Sequence, residues 1–453
     1  MKKVRHQIPS SQVILKFANY FTQGPHYQLT MFKQATPIPK KLIPILSFLT
    51  VGFIVWLFKP LLPEPPATRW SFGLESGLAQ ILLGIDTGKQ KTIVAPEHDD
   101  PQANSTPVMN NPFQPGTVKP VGMPYTKTLV TPRTSSEDVS WIEENFGETE
   151  LIKAAIYTVD DVNAELHPPM NKGNEVMVYL TYIIDHYHNL SDVNIFMHSH
   201  RFAWHNNDLL DSDSVQMISR LSAERVQREG FMNMRCSWGP GCPSWMHPGS
   251  IEEDINKQEE TMLAKSWSEL FPLDPVPNVL AQPCCAQFAI SRDRIQSLPL
   301  ARYIFYRDWL LRTSLSDYIS GRVWEYVWQF VFTGKPIVCP AEHVCYCDGF
   351  GVCFGGAEKY EEFRAMESDR SMLEQKEKDH RELSQKWETP ELLTDEEKAQ
   401  GRPDIEKGRQ LQERINELAA WCDKRKQEAK EQGDVAMYRA REAGRGWSPG
   451  DGF

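Results

Sequence analysis

An α/β fold, built on a mostly parallel sheet with flanking helices and stapled by disulfides, is the architecture that this 453-residue sequence predicts. Three observations predict it. A β-rich run, a helical run and a second β-rich run follow one another between residues 153 and 197, and strand–helix–strand at that spacing is a βαβ unit. Eight of the nine cysteines fall between residues 236 and 353. Hydrophobic residues make up 41% of the chain and charged residues 24%, enough apolar surface for a core and too much for a disordered chain.

The charge is unevenly placed. Residues 1–63 hold eight Lys/Arg and no Asp or Glu, whereas the other 41 basic residues face 60 acidic ones. The overall balance of −11 argues against a nucleic-acid partner. The boundary between the two regimes coincides with Leu42–Phe58, LIPILSFLTVGFIVWLF, which carries no charge. A helix over residues 42–62 spans roughly the 30 Å of a bilayer core at about 1.5 Å per residue. Seven Lys/Arg precede it, Lys40 and Lys41 directly. The positive-inside rule then leaves residues 1–41 in the cytosol and sends the rest across the membrane. A single-pass anchor facing the lumen of the endoplasmic reticulum or Golgi is the expected setting. Two glycosylation acceptors, Asn104 and Asn189, agree with it. So do the clustered cysteines, which read as disulfides on the oxidising side. The alternative for Cys339, Cys345, Cys347 and Cys353 is a zinc site, but paired C-x₂-C knuckles are missing.

From Pro63 to Pro132 lie eleven of the 32 prolines, so residues 63–133 read as an extended stalk. The folded domain is expected over 134–355. Within it Lys153–Val159 is a strand, leaving through Asp160 and Asp161. The turn Asn171-Lys172-Gly173 leads to Asn174, capping a helix over Glu175–His188. Asp192–Met197 is the second strand and ends in His198-Ser199-His200. Gln287–Ile290 is a short strand, Ser291 opens a helix, and Ser320–Phe332 is an aromatic-rich helix. Residues 356–453 interleave both charge signs. Leu411, Ile415, Leu418 and Trp421 mark one face of a solvated helical tail, which would bind a protein partner.

Ligands of parallel sheets bind at the carboxyl ends of the strands. His198 and His200 would share one face there and grip a metal ion or an anionic oxygen, with His205 near enough to join. Arg201 is a candidate phosphate clamp, and Asp160 and Asp161 are candidate ligands of a nucleotide-bound divalent metal. Arg322, Glu325 and Trp328 lie on one helix face. Glu325 reads either as a catalytic carboxylate or as the partner of Arg322, while Glu175 reads as a helix-start residue favouring the dipole. Trp204 is a candidate sugar-stacking ring, one of eight tryptophans in the domain. No phosphate-binding glycine loop, G-x-S-x-G elbow or H-E-x-x-H motif is present.

The segments Lys172-Gly173-Asn174-Glu175, Tyr179–Asp185, Ile195–His198, His200-Arg201, Trp204-His205, Pro283–Ala289 and Gly321–Tyr326 resemble those of a mainly fungal, often membrane-anchored family. That resemblance spans about residues 150–355 and implies a domain without an assigned activity. More loosely, the chain is similar to GT-A type glycosyltransferases, which implies a Rossmann-like sheet and a sugar-transfer reaction. The likeness rests on the strand–helix–strand order, the segment Ala286–Arg292 and a late helix bearing Arg322 and Glu325. The chain departs from that group where an acidic metal motif is replaced by His198-Ser199-His200. Under this resemblance Asp160 or Asp161 would hold the donor, His198, His200 and Arg201 would meet the leaving diphosphate, and Glu325 would serve the glycan acceptor. A metal-dependent hydrolase and a non-catalytic scaffold are the alternatives.

Overall fold

The computed structural model describes residues 113–453. The expected membrane helix at 42–62, most of the stalk and the Asn104 acceptor lie outside the described residues. Among the described residues no helix is long and apolar enough to cross a membrane.

The first strand, β1, spans Lys127–Arg133, so a strand begins inside the segment that proline content assigns to the stalk. Pro132 is tolerated because β3 pairs with β1 only as far as Val130, leaving one side of the ladder free. Helix α1 (Ser140–Phe146) leads to β2 (Ile152–Thr158), α2 (Val176–His186) and β3 (Val193–Phe196). The expected strand–helix–strand unit is therefore β2–α2–β3, and β1 pairs in parallel with both of its strands. Residues 176–183 of α2 are buried all round, as expected of a helix apolar on every face. Asn174 does not cap it: the residue is exposed, with φ of 53°.

Helices α3 (Ser214–Arg220) and α4 (Ala223–Glu229) precede β4 (Phe231–Asn233). A long connection carrying α5 (Glu260–Leu270) returns the chain to β5 (Phe288–Ser291). The sheet order is β2-β1-β3-β5-β4, and β5 runs antiparallel to both β3 and β4. The sheet is thus mixed, which corrects the expectation of a mostly parallel one. Antiparallel neighbours need no helical crossover, so the connection leaves and re-enters the sheet at the same edge, beyond the carboxyl ends of β3 and β4.

After β5 come α6 (Arg292–Gln296), α7 (Leu300–Arg312), α8 (Asp317–Glu325) and α9 (Trp328–Thr333). The single aromatic helix expected over 320–332 is broken at Tyr326-Val327. Side-chain amides take its carbonyls: Gln282 Nε2 donates to the Glu325 carbonyl, and Gln329 Nε2 donates to that of Tyr326 at 2.7 Å. Alternate strand residues fill two cores, one on each face. Val130, Phe196, Phe288 and Ile290 meet α2 and α7–α9, and Leu129, Val193, Ile195 and Ala289 face α1, α3 and α4.

All eight clustered cysteines are paired. Cys236–Cys345 and Cys242–Cys339 bind the long connection to the segment beyond α9, and each closes a loop long enough to stabilise by roughly 4–5 kcal/mol. Cys347–Cys353 is local, and Cys284–Cys285 joins neighbouring residues.

The charged tail forms α10 (Ala357–Lys386), α11 (Asp395–Gln400), α12 (Ile405–Gly433) and α13 (Ala436–Glu442). Helices α10 and α12 pack together, which buries Ile415 and Leu418 and places Trp421 6.2 Å from Phe363. The apolar face of the tail thus packs within the chain. Arg364 of α10 grips Asp208 at 2.6 Å, and Arg445 reaches the buried Asp348 at 2.7 Å, where Arg228 also binds at 3.0 Å. Removing that carboxylate strands guanidinium groups in a dry interface, at a cost of about 3–5 kcal/mol. Asp348→Ala should therefore lower the denaturant midpoint markedly; an unchanged midpoint in guanidinium would show that the tail is not anchored there.

Candidate functional site

The strand order changes direction between β1 and β3, so the crevice beyond their carboxyl ends is where a ligand is expected. A cavity of about 610 Å³ opens beside the end of β3, within the size range of small-molecule sites. Four parts of the chain build it. The turn before α2 supplies Asn174 and Glu175, and the segment after β3 supplies His198, Trp204 and His205. The long connection supplies Pro240, Trp245, Asn256, Cys284 and Cys285, and α8 supplies Tyr318, Gly321, Arg322 and Glu325 with Tyr326 behind it.

Gly321 lets α8 approach the turn, since a Cβ there would lie 2.5 Å from Asn174 Nδ2 and 3.2 Å from the Gly173 carbonyl. Backbone strain gathers in the same walls. Asn174, Cys285 and Ala286 are non-glycine residues with φ of 53°, 84° and 47°, a conformation costing about 1–3 kcal/mol each and commonest where function demands it.

Glu325 is half-buried at the end of α8. One carboxylate oxygen accepts the Cys285 N–H at 2.6 Å, so the paired cysteines aim the carboxylate. Burial raises its pKa, opposed by that N–H and by Arg322. Across the cavity, burial pushes Glu175 up to about 8, with the Glu325 charge adding to the shift. Arg322 does not pair with Glu325. Its Nε donates to the buried Glu259 at 2.7 Å and its Nη2 to the Asn256 carbonyl at 2.9 Å.

His198 Nδ1 and His205 Nε2 share a hydrogen bond of 3.0 Å. Burial lowers His198 to about 3 and His205 to about 4, helped in the first by His205 and in the second by Arg235. Both rings are neutral at physiological pH. The His198 backbone N–H donates to Gln287 Oε1, and Gln287 Nε2 donates to Asn206 Oδ1, so the residue preceding β5 holds the histidine segment in place.

The other expected site residues lie apart. His200 is exposed and faces Glu137 at 3.6 Å, so His198 and His200 are held by different partners. Arg201 is bound to both oxygens of Asp213 at 3.0 Å. Asp160 accepts two bonds from Ser135, and Asp161 accepts the Asn163 N–H in its own turn; both leave the edge strand β2, outside the cavity. The fit to a divalent metal is poor. Among the described residues the sets of three ligating side chains close enough for one ion are Cys284, Cys285, Glu325 and Cys347, Cys353, Glu442. In both, the cysteines are already in disulfides.

Sequence reasoning passed over Glu175, whose position at a helix start suggested a dipole role, and Trp245 and Tyr318. The adjacent pair Cys284-Cys285 was visible in the sequence as a doublet, although its contact with Glu325 was not.

The Glu175 shift carries a sign for stability. A carboxyl raised from 4.5 to about 8 favours folding fully below pH 4.5, and that contribution is lost as pH rises toward 8. At pH 7.5 Glu175→Gln should raise Tm by about 2–4 °C, and the gain should vanish near pH 4. A gain of equal size at both pH values would contradict a raised carboxyl.

No curated protein and no solved structure matches the chain significantly. A domain of a protein family of unknown function, DUF3431, covers residues 129–348, from β1 to the segment beside the tail.

Proposed function

We propose that this domain transfers a sugar from a nucleotide-sugar donor to a hydroxyl of a glycan acceptor, on the lumenal side of an endoplasmic reticulum or Golgi membrane. The observation that carries the reading is Glu325: a half-buried carboxylate with raised pKa, aimed by the Cys285 N–H into an aromatic-lined cavity at the end of β3. A base poised nearer neutrality than an ordinary carboxylate suits removal of a hydroxyl proton. The four disulfides and the exposed Asn189 acceptor support an oxidising compartment.

In this reading the acceptor oxygen attacks the anomeric carbon while Glu325 takes its proton. The bond from that carbon to the diphosphate oxygen breaks, and the electron pair departs with the diphosphate. Glu175 stays protonated and donates a hydrogen bond. His198 and His205 act as neutral polar groups in the cavity wall. The departure from the acidic metal motif means that no step runs through a metal. The looser likeness to GT-A transferases supports the reading by analogy alone.

The test is a thermal-shift panel of uridine and guanosine diphosphate sugars on the purified full chain, followed by a transfer assay. At least one donor should raise Tm. Glu325→Gln should keep that shift and lose transfer by about 10²–10⁴-fold. A flat panel on folded protein overturns the reading.

A further inference from the structure

The cavity's walls are unusual in their charge. Among the described residues Arg322 is the one cation in its lining, and its guanidinium is committed to Glu259 and to the Asn256 carbonyl. Two more cations stand close behind. Arg235 is buried, 5.2 Å from the Trp204 ring centroid, and donates to the Gly239 carbonyl at 2.6 Å. Lys257 lies 4.3 Å from the Trp245 ring centroid and donates to the Trp245 carbonyl at 2.7 Å. The two imidazoles in the wall bond to each other. What remains open to a ligand is Glu325 and Glu175, the amides of Asn174 and Asn256, the rings of Trp204, Trp245 and Tyr318, and the Cys284–Cys285 bridge.

We propose that this cavity binds a neutral pyranose, as the acceptor subsite of the transfer reaction proposed above, and rejects sugars bearing phosphate or carboxylate. The inference rests on that reading only for the word acceptor; the ligand class follows from the walls. Indole faces stack on the apolar faces of pyranose rings, and Trp204, with 66% of its surface exposed, offers the largest such face at the mouth. Carboxylates and amides pair with sugar hydroxyls, and a hydroxyl brings no charge to be compensated. A phosphate in the same place would stand beside Glu325, while the Arg322 guanidinium, the cation among the described lining residues, is already paired with Glu259. Like charges at about 5 Å in a partly buried site repel by more than tenfold in binding.

Saturation-transfer NMR on the purified full chain tests this, using methyl glycosides of glucose, mannose and galactose, their 6-phosphates, and glucuronate. At least one neutral glycoside should bind, and its anionic counterparts should bind at least about tenfold more weakly. Trp204→Ala should weaken the neutral ligand about tenfold. Glu325→Gln should bring the 6-phosphate to within about threefold of it; should that variant fail to fold, raising the pH from 7 to 9 with the unaltered chain, which ionises Glu175, should widen the gap between glucuronate and the neutral glycosides. Equal or tighter binding of the anionic sugars, neutral binding indifferent to Trp204, or no neutral binding at all overturns the inference. Transfer activity without neutral-sugar binding would leave the transferase reading standing and sink this one. Neutral-sugar binding without turnover on any donor would do the reverse.

Discussion

The antiparallel insertion of β5 between β3 and β4 decides where the rest of the chain can go. Had β5 been parallel, the connection from β4 would have had to cross to the opposite edge of the sheet through a helix. Instead it begins and ends at the carboxyl edge, and residues 234–287 remain over the ends of β3 and β4. That excursion delivers Pro240, Trp245, Asn256, Cys284 and Cys285 to the cavity. It also places Gln287 where it can hold the His198 backbone.

A loop of that length would ordinarily be mobile, since closing it costs chain entropy and it has little regular structure of its own. Two disulfides tie it to Cys339 and Cys345. Glu342 of the same segment accepts the Trp238 N–H and also the Tyr360 hydroxyl at 2.6 Å. The tail therefore reaches the cavity wall indirectly, through Tyr360 and Glu342, and Arg364 holds Asp208 just beyond the histidine segment. Domain and tail share one network of buried charge, centred on Asp348.

Much of this fold was legible in the sequence, and the parts that were not have definite causes. β2, β3 and β5 were each visible within a residue or so, because short β-branched and aromatic runs bounded by polar turns leave few other choices. β1 was hidden by Pro132 and by the proline-rich approach to it, although only one of its neighbours needs the backbone at that position. The direction of β5 was not legible, because a four-residue apolar run pairs equally well either way. The break between α8 and α9 depends on Gln282, distant in sequence. At the site, the recurrence of His, Trp, Arg and Glu types pointed to His198, Trp204, His205, Arg322 and Glu325, which the fold brings together. Asp160, Asp161, His200 and Arg201 are of the same chemical types but bind nearby partners, and which neighbour claims a polar side chain is a tertiary matter.

Glu175 shows why the environment outweighs local position. At a helix start an acidic side chain gains from the dipole, and its pKa should fall. Here burial dominates and Glu325 adds a second negative charge, so the carboxyl rises instead. Two carboxyls that line one cavity cannot both ionise cheaply. Their partners differ: Glu325 has the Cys285 N–H and the nearby Arg322 to favour its charge, whereas no cation contributes to Glu175. The strained Cys285 backbone therefore does more than shape the wall. By presenting its N–H to Glu325, it opposes the upward push of burial on that carboxyl.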